Sequence, residues 1–312
     1  MLTWRYHLLS LVAVFLALGL GVLVGISVSD TGVIETSQDV LVEDIQRDLD
    51  GLRTENSGLS RDRATNIRYQ DDTFPYIVGG RLQGKRIAVV ASATAGDEIQ
   101  RELTSAIHGA GGQVVSTTVM NPHFDLAAAT AKVKADLKGD PAFATVDDAS
   151  LTTAVSQQLA RDVSKGGGVR LLTALQGTLV DSMNGNYDLP VDAVVVVTRA
   201  DNEQVPAYTD LEKKFILSLK DLGILTIGAE PEDAPVSEIP LFQSVDVSSV
   251  DNLDSRIGQV SVVYVLSGEK GAFGVKPTAD LLIPILRAPR QTGQQAPAQT
   301  TATGTTTASS TP

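Results

Sequence analysis

Val191-Asp192-Ala193-Val194-Val195-Val196-Val197-Thr198 decides the fold. Its side chains are apolar on both faces, which suits a central strand covered by helices on either side. Downstream, Tyr208, Leu211, Phe215, Leu219 and Leu222 recur at helical spacing and Gly223 closes the helix. Ile224–Gly228 (ILTIG) follows at once as the next strand. Upstream, Arg86–Ala91 (RIAVVA) reads as a buried strand, then Ile99, Leu103 and Ile107 as a helix. Gly109, Gly111 and Gly112 end that helix, and Gln113–Val119 (QVVSTTV) is a second strand. Leu151, Val155, Leu159 and Val163 make a further helical stripe that stops at Gly166–Gly168. A last strand is expected near Phe242–Val247, before a helix carrying Leu253, Ile257, Val260 and Tyr264. Strand–helix alternation with short Gly-marked joints predicts an α/β domain over 73–287, a Rossmann-like doubly wound parallel sheet. Segments 120–150 and 169–190 carry no decisive pattern.

The N-terminus obeys a different logic. Leu8 to Val28 holds no charge and, at ~1.5 Å per residue, is long enough to cross a ~30 Å hydrocarbon core. A cleaved signal sequence is the alternative, with Ser27 and Ser29 at suitable small-residue spacing before Asp30, but h-regions are shorter. Residues 1–30 are therefore expected to be a single-pass transmembrane helix. Arg5 precedes it, while Asp30, Glu35, Asp39, Glu43 and Asp44 follow before Arg47. This asymmetry puts the N-terminus in the cytoplasm and the bulk of the chain outside it.

Ala17, Gly21 and Gly25 form a small-residue row on the span, a pattern that lets two membrane helices approach closely. Val42, Ile45, Leu49, Leu52, Asn56 and Leu59 then step alternately by three and four residues, the a/d rhythm of a short coiled coil. Asn56 at an a position favours a parallel, in-register homodimer. The alternative is a helix packing on its own globular domain, since Gly51 and Gly58 weaken the run and Arg63 and Asn66 break it. The expectation is a coiled-coil stalk over 31–72. At the other end, 288–312 is a Thr-, Pro- and Ala-rich tail with no charge after Arg290, expected to be disordered.

Composition narrows the chemistry. The 312 residues hold 25 Lys+Arg against 37 Asp+Glu, a net charge of −12, which argues against nucleic acid. There is no Cys, so disulfides, thiolate metal sites and Cys nucleophiles are excluded. The turn after the first strand, Ala91–Asp97, has one Gly where a dinucleotide fingerprint needs three, and capping of the next helix is the expected role of its Ser, Thr and Asp. Neither a P-loop nor a GxSxG elbow occurs. His108 falls in a last helical turn, where it complements the dipole. Met120 and His123 are the one soft-ligand pair close in sequence, candidates for a metal, and two ligands do not close a copper site. Asp71–Asp72 and Asp147–Asp148 are expected to be solvated loop charges. The residues point to a non-catalytic protein with no cofactor.

Two blocks carry a family resemblance. Trp4-Arg5-Tyr6-His7-Leu8-Leu9-Ser10-Leu11-Val12-Ala13-Val14-Phe15-Leu16-Ala17-Leu18 resembles the N-terminal signature of the MctB family. Val250–Asp254 with Gly258, then Gly271–Lys276 (GAFGVK), resembles its second block, and order and spacing agree across 1–287. The resemblance implies an actinobacterial-type envelope protein with an extracytoplasmic α/β domain, tied to copper transport and to the outer membrane, with copper as its ligand. Some relatives are linked instead to envelope growth and division through a membrane-associated partner. One span is a poor conduit, so a dimeric scaffold with an indirect effect on copper is expected, with direct copper binding or efflux as the alternative.

Overall fold

The computed structural model describes residues 3–29, 33–137, 139, 140, 143 and 150–285. The expected tail (288–312) and Asp147–Asp148 lie outside the described residues. The chain forms two compact units, Met1–Tyr69 and Gln70–Pro312.

The first unit is helical. Helix α1 (Thr3–Ser29) contains the uncharged run, and Trp4–Ser27 is long and apolar enough to cross a membrane. Helix α2 (Val33–Val78) continues without interruption through Arg63 and Asn66, where the a/d rhythm is lost. Earlier along the helix, surface pairs support it: Arg47 bonds Asp44 at 2.8 Å and Arg53 bonds Asp50 at 3.2 Å, each three residues apart. Helix α2 extends past the expected stalk boundary, and its final turns contribute Phe74 and Val78 to the core of the second unit.

The second unit is built on one sheet of seven strands in the order β3-β2-β1-β4-β5-β6-β7. These are β1 (Arg86–Ser92), β2 (Gln113–Met120), β3 (Val180–Gly185), β4 (Ala193–Val197), β5 (Leu225–Ala229), β6 (Ser248–Val250) and β7 (Ala272–Phe273). All neighbours pair in parallel except β2 with β3, so the expected all-parallel sheet has one antiparallel edge. Gly185 makes that edge possible: at φ 99° its Cα lies where a Cβ would meet the Val115 carbonyl at 2.2 Å.

Period-two alternation splits the strands between two cores. Ala88, Val90, Val194 and Val196 face one, with α4 (Leu126–Asp136), α5 (Leu151–Ser164), α6 (Arg170–Ala174) and α7 (Pro206–Asp221). Ile87, Val89, Ala91, Val195 and Val197 face the other, with α3 (Gly96–Gly109), α9 (Arg256–Leu266) and the end of α2. The tetravaline run is thus buried on both sides, as its composition requires.

Two expectations are corrected. Phe242–Val247 is not a strand; α8 (Ile239–Ser244) occupies most of it, and β6 begins only at Ser248. Pro240 in the first turn of α8 suits a helix start, and Phe242 is fully buried over Gly228 of β5, where a Cβ would meet its ring at 2.3 Å. The Ala91–Asp97 turn does not cap α3 with a side chain. A short 3₁₀ turn, Ala93–Ala95, leads into α3 at Gly96 (φ 78°), Ser92 Oγ pairs with Thr94 Oγ1 at 2.5 Å, and Asp97 and Glu98 lie in the first helical turn. Acidic side chains there complement the helix dipole without capping it.

Candidate functional site

Chain order reverses between β1 and β4, because β1 continues to β2 on one side while β4 leads to β5 on the other. In an open α/β sheet the loops diverge at such a point, above the carboxyl ends of the strands, and leave a crevice. Ser92, Thr198 and Glu230 stand at those ends of β1, β4 and β5. Backbone bonds hold the last two: Thr198 N–H donates to the Ala229 carbonyl at 2.8 Å and Glu230 N–H to the Val250 carbonyl at 2.9 Å.

A buried polar cluster grows from these residues. Glu230 is fully buried, and its carboxylate accepts from Lys276 Nζ at 2.5 Å, Ser237 Oγ at 2.7 Å and the Glu238 N–H at 2.7 Å. Glu238 in turn accepts from Gln204 Nε2 at 2.9 Å. Glu212, on α7, is 3% exposed. Its Oε2, Glu238 Oε2 and Thr198 Oγ1 are buried without a hydrogen-bond partner within 3.5 Å. Burial, and then the negative charge of Glu238, push the Glu212 carboxyl well above the usual carboxylate range. Burial also raises Glu238, against partial relief from the Gln204 hydrogen bond. Tyr208 stands beside them with its phenol pushed up by burial and by both glutamates. Two carboxyls in so little water disfavour double ionisation, which favours a proton shared within the pair.

Lys276 reaches Glu230 because a second set of bonds fixes its backbone. Asp251 is buried and accepts the N–H groups of Val275 at 2.7 Å and Lys276 at 3.0 Å. Gly274, at φ 142°, leaves the room for this: a Cβ there would fall within the Asp251 carboxylate. Gly258 does the same on α9, where a Cβ would strike the Asn252 carbonyl. Val250–Asp254, Gly258 and Gly271–Lys276 are therefore one mated structure whose product is a cation under Glu230.

At the rim, His123 Nε2 and Asp201 Oδ1 are 3.0 Å apart, and that bond draws the Asp201 carboxyl below its usual range. Arg199 pairs with Asp233 at 3.0 Å. Met120 and His123, singled out from the sequence, serve different surroundings. Met120 is buried in the core on the α5–α7 side of the sheet, and His123 is partly exposed beside Asp201. Asp71, a solvated loop charge by expectation, lies on α2 and bonds Arg256 at 2.6 Å. Among the described residues, no group of three or more His, Asp or Glu is placed to hold a metal ion. The dimerisation candidates all lie on helix surfaces. Gly21 and Gly25 have nothing within 4 Å of a built Cβ, and Val42, Ile45, Leu49, Leu52 and Leu59 are 46–62% exposed.

A family model described as "Copper transport outer membrane protein, MctB" matches residues 1–284. The chain belongs to the MctB family. Among its relatives are proteins named "Copper transporter MctB" from Mycobacterium bovis and from Mycobacterium tuberculosis (strain ATCC 25618 / H37Rv). Each is 22% identical over 319 aligned positions, covering 88% of this chain and 96% of the relative. With its one apolar N-terminal helix, this MctB-family chain has the elements of a membrane-anchored envelope protein. The copper of the family description is cargo rather than a resident cofactor. The buried Glu212–Glu238–Glu230 cluster was not legible as a site from the motifs, although Glu212 gave a signal: it sits on the same helical face as Tyr208, Phe215 and Leu219.

Proposed function

We propose that this chain is a parallel homodimeric, single-span scaffold of the cell envelope, which bears on copper homeostasis through the partner its α/β domain engages. The observation that carries this reading is the stripe Val42, Ile45, Leu49, Leu52 and Leu59 on α2, apolar and exposed along a continuous helix. In a dimer each knob enters a hole on the facing helix and Asn56 pairs with its own copy. Ala17, Gly21 and Gly25 give the membrane helices a matching small-residue face. Arg5 before the span and the acidic segment after it favour an N-terminus in the cytoplasm and an extracytoplasmic α/β domain. The domain, a doubly wound sheet in the Rossmann-like manner, offers a crevice with buried carboxyls at which a partner could be held. Its partner is an envelope or membrane-associated protein.

Leu49→Asp with Leu52→Asp places like charges in the seam. Light scattering of the full chain in detergent then gives half the parent's protein mass, with the unfolding of the α/β domain unchanged; an unaltered mass refutes the coiled coil. Gly21→Ile weakens the same association from the membrane side, and equal association of the two proteins removes the small-residue row from the argument.

The family description and the names of the relatives favour a second reading, direct copper binding or efflux. Calorimetric titration of Cu(I), then Cu(II), into the full chain separates the two. Saturable binding near one ion per chain or per dimer establishes direct handling, with Met120 and His123 the first residues to replace. Binding no tighter than that of an unrelated control protein leaves copper downstream of the scaffold.

A further inference from the structure

Three buried carboxyls meet at the carboxyl end of the sheet, and one cation answers them. Glu230, Glu238 and Glu212 are 0%, 6% and 3% exposed. Among the described residues, Lys276 is the one Lys or Arg bonded to any of the three, and its partner is Glu230. Glu238 accepts from a neutral amide, Gln204, and Glu212 Oε2 has no partner. The two charges of Glu212 and Glu238 are thus left without a counter-charge, and an unpaired buried carboxylate is costly. A proton shared by the pair covers one of these charges; a divalent cation covers both.

Acidic residues alone would not define a site, and a hydroxyl supplies the independent observation. Thr198, directly after β4, is 1% exposed, and its Oγ1 lies beside Glu238 without a partner although a hydroxyl can both donate and accept. Buried polar atoms nearly always find a partner, yet here three atoms from three elements, the end of β4, α7 and the start of α8, lack one at the same place. Their supports are fixed: Thr198 N–H is held by the Ala229 carbonyl and Glu238 N–H by Glu230. The unpartnered atoms are all oxygens, which suits a hard cation. The void that reaches Glu212 is about 20 Å³, room for a water-sized occupant and for no organic amine. Mg²⁺ demands octahedral geometry and keeps its water shell, whereas Ca²⁺ accepts bidentate carboxylates in irregular cages. We propose that Glu212, Glu238 and Thr198 bind one Ca²⁺ ion at the carboxyl end of β4. No third His, Asp or Glu joins them among the described residues, so backbone carbonyls or water complete the shell and the affinity falls in the ~10⁻⁴–10⁻³ M range of the weaker Ca²⁺ sites.

The test uses the full chain in a non-ionic detergent and Tb³⁺, whose emission is sensitised by a nearby tyrosine. Tyr208 stands beside both glutamates and is the local reporter. The expected result is a saturable signal on tyrosine excitation that Ca²⁺ displaces and an equal concentration of Mg²⁺ does not. Tyr208→Phe is expected to lower the emission without moving the midpoint of the titration. Glu212→Gln is expected to abolish the Ca²⁺-displaceable signal, while Asp71→Asn, on the exposed surface of α2 near Tyr69 and Tyr76 in sequence, leaves it intact. Thr198→Val keeps the shape of the side chain and the test open if Glu212→Gln does not fold; it is expected to weaken Ca²⁺ displacement. As a second readout, the thermal midpoint of the parent rises with added Ca²⁺, because an ion bound by the native state alone stabilises it, and that rise is lost in either variant. A parent midpoint indifferent to Ca²⁺, a signal that Ca²⁺ does not displace, emission unchanged in Tyr208→Phe, or a displaceable signal unchanged in folded Glu212→Gln or Thr198→Val overturns the proposal.

Discussion

Glu212→Gln tests whether a proton is held inside the α/β domain. The wild-type carboxyl is buried against Glu238, and burial followed by that neighbour's charge raises it well above the usual range. In the unfolded chain the same group titrates near the ordinary glutamate value of about 4.3. Above that pH the unfolded state has released a proton that the native state still holds, so native stability falls as pH rises toward the folded value. One proton of difference corresponds to about 1.4 kcal/mol per pH unit. Gln does not titrate and keeps an N–H donor to offer Glu238, so the variant lacks this slope. Its stability relative to the parent is therefore expected to increase with pH between pH 5.5 and 7.5, with a slope no steeper than that of one proton. Asp162 and Glu238 are also raised by burial and give both proteins a background slope of the same sign, so the difference between them is the quantity to read. Urea unfolding of the full chain in detergent, at fixed salt and followed by the tyrosine signal, measures it. A difference that stays flat from pH 5.5 to 7.5 means that Glu212 is ionised in the native state, and the reasoning about the pair is then wrong.

Lys276→Ala removes the cation from a fully buried Glu230 and is expected to destabilise by about 3–5 kcal/mol, read as a fall in thermal midpoint; a midpoint equal to the parent's refutes the pairing. Gly228→Ala drives a Cβ into the Phe242 ring and is expected to cost about 1–3 kcal/mol. Adding Phe242→Leu is expected to recover part of that loss through coupling between contacting residues, and strict additivity in denaturant unfolding would show that the ring is not the obstacle. Gly274→Ala, which collides with Asp251, is expected to lower stability as Lys276→Ala does, and the double variant is expected to lose much less than the sum of the two.

The centre of the fold was legible because its strands are buried on both faces. β1, β2, β4 and β5 each begin and end within two residues of the apolar runs that mark them. β3 was not legible, since VDSMNG carries neither an apolar run nor a clean alternation; it holds its place by pairing at an edge and by Gly185. α8 was misread as strand because IPLFQS is short and apolar, and at that length periodicity cannot separate the two states. What decided the state is a tertiary fact, the Phe242 ring seated on the Cβ-free surface of Gly228. The a/d rhythm of α2 was visible, whereas the continuation of the helix beyond Asn66 depends on Phe74 and Val78 docking into a core that residues far along the chain create.

The polar cluster shows a different limit. No motif announces it, because its members are separated by long stretches of chain and each is ordinary alone. Three signs were nevertheless present. Glu212 interrupts the face of α7 that Tyr208, Phe215 and Leu219 define, and a carboxyl on such a face must be buried, paired or neutral. Glu230 is the first charged residue after a buried strand, at the carboxyl end of the sheet where α/β domains place their ligands. The resemblance at Val250–Asp254 and Gly271–Lys276 carried the third sign without its meaning. Those residues have a common structural reason: Gly274 admits Asp251, Asp251 fixes the backbone of Lys276, and Lys276 makes a buried Glu230 tolerable. A family description in terms of copper does not require such an arrangement, and neither does a passive scaffold. The carboxyl end of this sheet is thus held by one set of mated residues, and the pH dependence of Glu212 reports on the state of its buried carboxyls.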